Sequence, residues 1–103
     1  MLVAIPAEIN LGAIPITSSH PFEIKIKNTS QTESFTPTIQ VGCHGCTQAH
    51  LINTTIQPGQ ITTMKVVFTP KAHGQQSKSI SLHYAPFGLS TQSLKVWFHV
   101  NVL

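Results

Sequence analysis

The densest group of reactive side chains lies in the middle of the sequence, where Cys43, His44, Cys46 and His50 follow one another closely. Two cysteines separated by two residues serve as a metal site, as a redox-active dithiol or as a local disulfide. Zinc takes four ligands. Cys43, Cys46 and His50 supply three at reachable spacing, and the fourth would come from another loop or a second copy. Because His44 directly follows Cys43, we expect its ring to point elsewhere.

A structural or inert role for the two cysteines is the favoured interpretation, with no cofactor bound. A zinc site at Cys43, Cys46 and His50 is the alternative. Redox enzymes of the thioredoxin type place Cys-x-x-Cys at the start of a helix, which activates the thiolate. No helical pattern follows Cys46, so this third use is disfavoured.

The composition also argues against catalysis. The carboxylates are Glu8, Glu23 and Glu33 alone, so few groups are available to orient a histidine in a serine hydrolase. The sequence has neither the strand-turn-helix motif of a nucleophilic serine nor a glycine-rich phosphate loop. We therefore expect that the protein is not an enzyme.

The chain is unusually poor in charge. Charged residues make up 9% of it, against about 25% in ordinary domains. Arginine is absent and the six lysines are dispersed, whereas nucleic-acid-binding surfaces cluster basic residues, so no specific nucleic-acid partner is expected. A weakly charged surface repels its own copies little. This property suits a component of a protein assembly, although a threonine-rich β domain would have the same composition for reasons of strand propensity.

The length of 103 residues fits one domain, residues 1–103. No apolar run approaches the ~18 residues of a membrane helix, so no membrane insertion is expected. The first residues lack the basic and long apolar regions of a secretory signal. The predicted location is therefore intracellular or within a virion assembled inside a cell.

The elements that must position these side chains are strands, because apolar residues alternate with polar ones almost throughout. Pro37 indicates an edge strand or a bulge, and Pro58-Gly59 indicates a tight turn. About seven short strands separated by turn residues predict an all-β fold, an immunoglobulin-like β-sandwich. The clearest strand segments are 22–27, 35–41, 51–56, 61–69, 77–84 and 93–102.

The final strand segment carries a candidate interface. Its alternation places Trp97 on the face that points away from the core, and exposed tryptophan is common at interfaces. The loop around Phe87, or the N-terminal segment, would cover Trp97 in the alternative interpretation. His83 and His99 share the outward faces of two strands and would be neighbours if those strands pair. The predicted interface residues are Trp97, Phe87 and His99.

A series of short motifs spans almost the whole chain in a characteristic order. They are INLGAI at 9–14, FEIKIKNT at 22–29, VGCHGCT at 41–47, IQPG at 56–59, VVFTP at 66–70 and the strand at 74–82. This order resembles the major-sperm-protein-like immunoglobulin domains of the ASH (Hydin-type) group. It is most similar to a bacterial and phage branch of unknown function with a Cys-Gly-Cys-Thr signature. Here the signature reads Cys-His-Gly-Cys-Thr, one residue longer.

The resemblance implies an immunoglobulin-like fold and a role in binding or scaffolding. We therefore expect a non-catalytic module that docks on a larger protein assembly. The specific expectation is a virion component, such as a capsid decoration protein, with a capsid or other virion protein as partner. The alternatives are a metal-binding domain that uses the Cys-x-x-Cys loop and a cellular scaffold or adaptor module.

Overall fold

The computed structural model describes residues 1–43 and 45–103. The prediction of an all-β sandwich is confirmed, with eight strands among these described residues rather than about seven. The strands are β1 (Leu2–Ile5), β2 (Glu8–Ile14), β3 (His20–Asn28), β4 (Thr38–Val41), β5 (Thr47–Leu51), β6 (Ile61–Phe68), β7 (Gly74–Tyr84) and β8 (Gln92–Val102).

The strands form two four-stranded sheets. The first sheet has the order β1-β3-β6-β5 and the second the order β2-β8-β7-β4. All neighbours are antiparallel except β2 and β8, which run parallel. The N-terminal segment therefore contributes an edge strand to each sheet.

The core lies between the sheets and follows from the alternation of apolar and polar residues. Phe98 is fully buried at its centre, with ring centroids 5.2 Å from Phe22 and 5.3 Å from Phe68. Such tilted aromatic pairs add to the stabilisation that area burial provides. The buried hydrophobic residues are Leu2, Ile14, Ile24, Ile26, Phe35, Cys46, Leu51, Ile56, Met64, Val66, Phe68, Ile80, Leu82, Tyr84, Val96, Phe98, Val100 and Val102.

Two predicted strand boundaries are wrong. The segment 51–56 is not a strand, because β5 precedes it and the chain bends at 52–55. The segment 35–41 forms a strand only from Thr38, directly after Pro37, which lacks the N–H that a ladder needs. Phe35 instead makes an isolated bridge with Ile56. The edge position that Pro37 indicated is confirmed, since β4 ends the second sheet.

The two ends of the sandwich differ in the loops that they carry. At one end, Leu2 N donates to the Tyr84 hydroxyl at 3.1 Å, which joins the two sheets. The ring of Phe35, in loop 29–37, lies 5.0 Å from the ring of Tyr84. We call this end, with loops 29–37, 52–60 and 85–91, the Phe87 end. The opposite end carries loops 15–19, 42–46 and 69–73, and we call it the cysteine end.

Candidate functional site

The loop between β7 and β8 holds Phe87 in a defined turn. Leu89 N donates to Pro86 O at 3.1 Å, and Gly88 has a φ of 76° at the third position, as a type II turn requires. Phe87 N donates to the Glu33 carboxylate at 2.7 Å, which ties this loop to loop 29–37. The turn leaves the Phe87 side chain 91% exposed.

Other apolar side chains are exposed at the same end. Leu89 follows in the same turn, and Ile52 lies just beyond β5, where its N–H donates to Thr63 O at 2.9 Å. We call Phe87, Leu89 and Ile52 the end surface. Exposed apolar groups held on ordered backbone are typical of protein interaction sites.

Trp97 lies on the outer face of the second sheet, as the alternation predicted. It pairs with Ser79 of β7 and Glu8 of β2, and it is 40% exposed. Lys95 Nζ lies 5.7 Å from the centre of the indole ring, within the range of a cation–π contact. Trp97 is five residues beyond the start of β8, which at ~3.3 Å per residue is roughly 17 Å along the strand. Trp97 and the end surface are therefore separate features.

His99 is held by hydrogen bonds within the molecule. Its Nε2 contacts the Glu8 carboxylate, and its Nδ1 shares a hydrogen bond of 2.7 Å with Ser77 Oγ. Both ring nitrogens are thus engaged before any partner arrives. The expectation that His83 and His99 are neighbours is wrong, because the β7–β8 register pairs His99 with Ser77 and His83 with Ser93.

The hydrogen bonds of His99 connect it to Ser77 and Glu8. These three residues are of the types found in a hydrolase triad, but their geometry is different. In a triad, Nε2 faces the serine and a buried carboxylate orients Nδ1. Here Nδ1 faces Ser77, and the Glu8 side chain is 68% exposed. These hydrogen bonds form a surface network that links β2, β8 and β7. The alternation of apolar and polar residues did not identify Ser77 and Glu8 as partners of His99, because identifying them requires the register between strands.

The cysteine pair forms a disulfide at the cysteine end, with Cα atoms 5.6 Å apart. The loop is also fixed by three backbone hydrogen bonds: Gly42 N to Ser79 O at 2.9 Å, Thr47 N to Cys43 O at 3.1 Å, and Thr69 N to Cys46 O at 2.7 Å. The first bond joins the loop to the second sheet and the last joins it to the first sheet. His44 lies outside the described residues.

The structure does not bring His50 to the cysteines. His50 is the fourth residue of β5 and lies exposed, four residues beyond Cys46. Four residues of extended strand span about 13 Å, too far for one ion to join both side chains. Within residues 1–43 and 45–103, no group of three His, Cys, Asp or Glu side chains is arranged to hold a metal. Zinc binding at Cys43, Cys46 and His50 stays a prediction.

The sequence and the fold place the chain in a family. The family described as "Protein of unknown function (DUF1573)" matches residues 4–101. The chain therefore belongs to this family. No curated protein sequence matches it.

Solved structures confirm the resemblance to major-sperm-protein-like and ASH domains. The ASH/PapD-like domain 7 of human CEP192 superposes with a TM-score of 0.78 at 8% identity, covering 99% of this chain and 84% of that one. SSP-19, an MSP-domain protein like family member of Caenorhabditis elegans, gives 0.73 at 12% identity, covering 95% and 97%.

A third likeness concerns only part of a larger protein. The VesB protease of Vibrio cholerae gives a TM-score of 0.74 at 13% identity, covering 97% of this chain but 31% of the protease. At these identities the likenesses show the immunoglobulin-like fold. Among the described residues, no helix is long and apolar enough to cross a membrane.

Proposed function

We propose that this domain is a non-catalytic protein-interaction module that docks on a larger protein assembly through its Phe87 end. The observation that carries the proposal is Phe87, which is 91% exposed on a turn that two hydrogen bonds hold in place. An aromatic side chain in this position is suited to fill a pocket on a partner.

The energetics favour such a role for Phe87. Full burial of a phenylalanine contributes about 1.5–3 kcal/mol relative to exposure. Because the turn is already ordered, docking loses less conformational freedom than it would with a flexible loop. Leu89 and Ile52 add further apolar area at the same end.

The composition supports a protein assembly as the kind of partner. With 9% charged residues and a formal net charge of +3, the surface offers little electrostatic steering and little repulsion between copies. Recognition would then depend on shape, apolar contact and hydrogen bonding. These properties suit a repeated site on a protein assembly, and we propose a virion, with the domain as a capsid decoration, as that assembly.

The test is sedimentation of extracts from cells that make the protein, with three single variants. Phe87→Ala should move the domain from large complexes to the free fraction, since loss of an interface anchor costs at least about 2 kcal/mol, or roughly 30-fold in affinity. Lys71→Ala, outside the end surface, should sediment with the wild type, and Trp97→Ala tests separately the predicted contact of Trp97 with a partner. The proposal is wrong if Phe87→Ala stays in the complexes, or if the wild type is always free.

The virion assignment has its own readout. A capsid decoration protein remains with particles through density-gradient purification, and Phe87→Ala would be lost from them. Recovery of the complex with cellular proteins alone would contradict the virion assignment and favour the cellular scaffold. The docking module would stand in either case.

A further inference from the structure

The two cysteines of the disulfide differ in how deeply they are buried. Cys46 is 3% exposed and packs in the core, with its Sγ 3.7 Å from the hydroxyl oxygen of Thr47, which is also buried. Cys43 is half-buried at the edge of the core, next to the exposed Gly42. An incoming thiol therefore reaches Cys43 more readily than Cys46.

The described residues around the disulfide are also held by contacts other than the disulfide. Backbone hydrogen bonds join Gly42 to Ser79, Cys43 to Thr47 and Cys46 to Thr69. None of them involves a sulfur atom, so we expect them to persist when the disulfide opens. The two thiols then remain close enough to join again.

We propose that Cys43–Cys46, although a strand rather than a helix follows it, is a thiol-exchange site in which Cys43 is the residue attacked and Cys46 is the buried leaving thiolate. The co-substrate is a dithiol, either a small molecule or the Cys-x-x-Cys group of a reductant protein. This inference concerns the cysteine end and does not depend on the docking function proposed for the Phe87 end.

The exchange proceeds in two balanced steps. A thiolate of the dithiol attacks Cys43 Sγ, the Cys43–Cys46 bond breaks, and the electron pair leaves on Cys46 Sγ, which takes up a proton. The second thiolate of the dithiol then attacks its partner sulfur in the mixed disulfide and releases Cys43, which is protonated in turn. The dithiol becomes a disulfide, and the cysteine pair gains two electrons and two protons.

Thr47 has a positioning role in the first step. Its hydroxyl group faces Cys46 Sγ, so it is placed to donate a hydrogen bond to the thiolate that leaves. Hydrogen bonds to a charged group are stronger than those to a neutral one. Thr47→Val keeps the shape of the side chain and removes the donor, and we expect reduction of the disulfide to slow about tenfold.

The directional claim is tested with two matched variants and oxidised glutathione as the probe. Cys46→Ser leaves Cys43 free, and we expect it to form the mixed disulfide at least tenfold faster than Cys43→Ser, in which Cys46 is free. Intact-protein mass spectrometry measures both rates. Equal rates, or faster modification of Cys46, would overturn the assignment.

A second measurement uses the wild-type chain, so the test does not depend on the folding of a variant. Dithiothreitol should reduce the disulfide while the amide spectrum changes only around the loop and its partners Ser79 and Thr69. A brief pulse of iodoacetamide should then label Cys43 before Cys46. Unfolding on reduction, resistance of the folded protein to dithiothreitol, or first labelling of Cys46 would refute the proposal.

Discussion

At the scale of single residues, Asn28 organises the Phe87 end. It is fully buried, and its Nδ2 donates to Glu33 O at 2.7 Å and to Ile56 O at 3.0 Å, while Oδ1 accepts from Ser30 N at 2.9 Å. A buried amide is tolerated only when its hydrogen bonds are made. One side chain thus fixes loops 29–37 and 52–60 relative to each other.

Asn28→Ala should therefore be among the most damaging polar substitutions. Glu33 O and Ser30 N would lose this partner, and Ile56 O would keep only the N–H of Phe35 as a donor. We expect the free energy of unfolding to fall by about 3 kcal/mol. Thr29→Ala removes one exposed hydrogen bond, from Oγ1 to Met1 O, and should cost less than about 1 kcal/mol. Urea unfolding of the two variants measures the difference, and similar losses would contradict this role of Asn28.

Residue orientation could be predicted from the sequence where alternation is strong. Trp97 outward and Phe98 inward follow from a period of two. The partners of His99 could not be predicted, because Glu8 lies 91 positions away and a register is set by long-range pairing. The separation of His50 from Cys46 was missed for a related reason, since the start of β5 carries no strong apolar pattern.

At the scale of elements, turn chemistry was more informative than strand length. The turn predicted at Pro58-Gly59 is present: Gln60 N donates to Gln57 O at 3.0 Å, and Gly59 has a φ of 75°. The strand predicted at 51–56 is absent because Asn53, Thr54 and Thr55 favour bends, and β6 pairs with residues 47–51 instead. The apolar residues of that segment indicated a strand, but the pairing with β6 ends at Leu51.

Gly59→Ala tests the turn. A Cβ at this position meets no atom within 4 Å. The free energy of unfolding should therefore fall by about 1–2 kcal/mol because of the left-handed backbone conformation alone. Gly59→Asn should lose clearly less, because asparagine tolerates this conformation better. Thermal unfolding of the pair gives the comparison. Equal loss in both variants would show that backbone conformation is not the cause.

At the scale of the whole molecule, we expect stability and recognition to depend on two different phenylalanines, Phe98 and Phe87. Phe98 is fully buried between the sheets, and Phe98→Ala should cost about 4 kcal/mol. Domains of this kind are stable by only about 5–15 kcal/mol, so this variant will be marginal. Phe87→Ala should change stability by less than about 0.5 kcal/mol, as is usual at exposed positions. A large loss from Phe87→Ala would mean that the side chain serves the fold.

We expect the fold as a whole to form without the disulfide. The bond joins cysteines with a sequence separation of 3. For so short a loop, the chain-entropy model predicts a stabilisation of only about 2 kcal/mol. The double variant Cys43→Ser with Cys46→Ser should therefore stay folded, with its denaturation midpoint modestly lowered. Complete unfolding in the absence of denaturant would contradict this account.

The docking claim is tested most directly by photo-cross-linking in the cells that make the protein. A benzophenone analogue of phenylalanine at position 87 should give one discrete cross-linked species, and excess wild-type protein should compete it away. The same analogue at exposed position 71, at the cysteine end, should give none. Cross-linking at 71 but not at 87, or at neither position, would contradict docking through the Phe87 end.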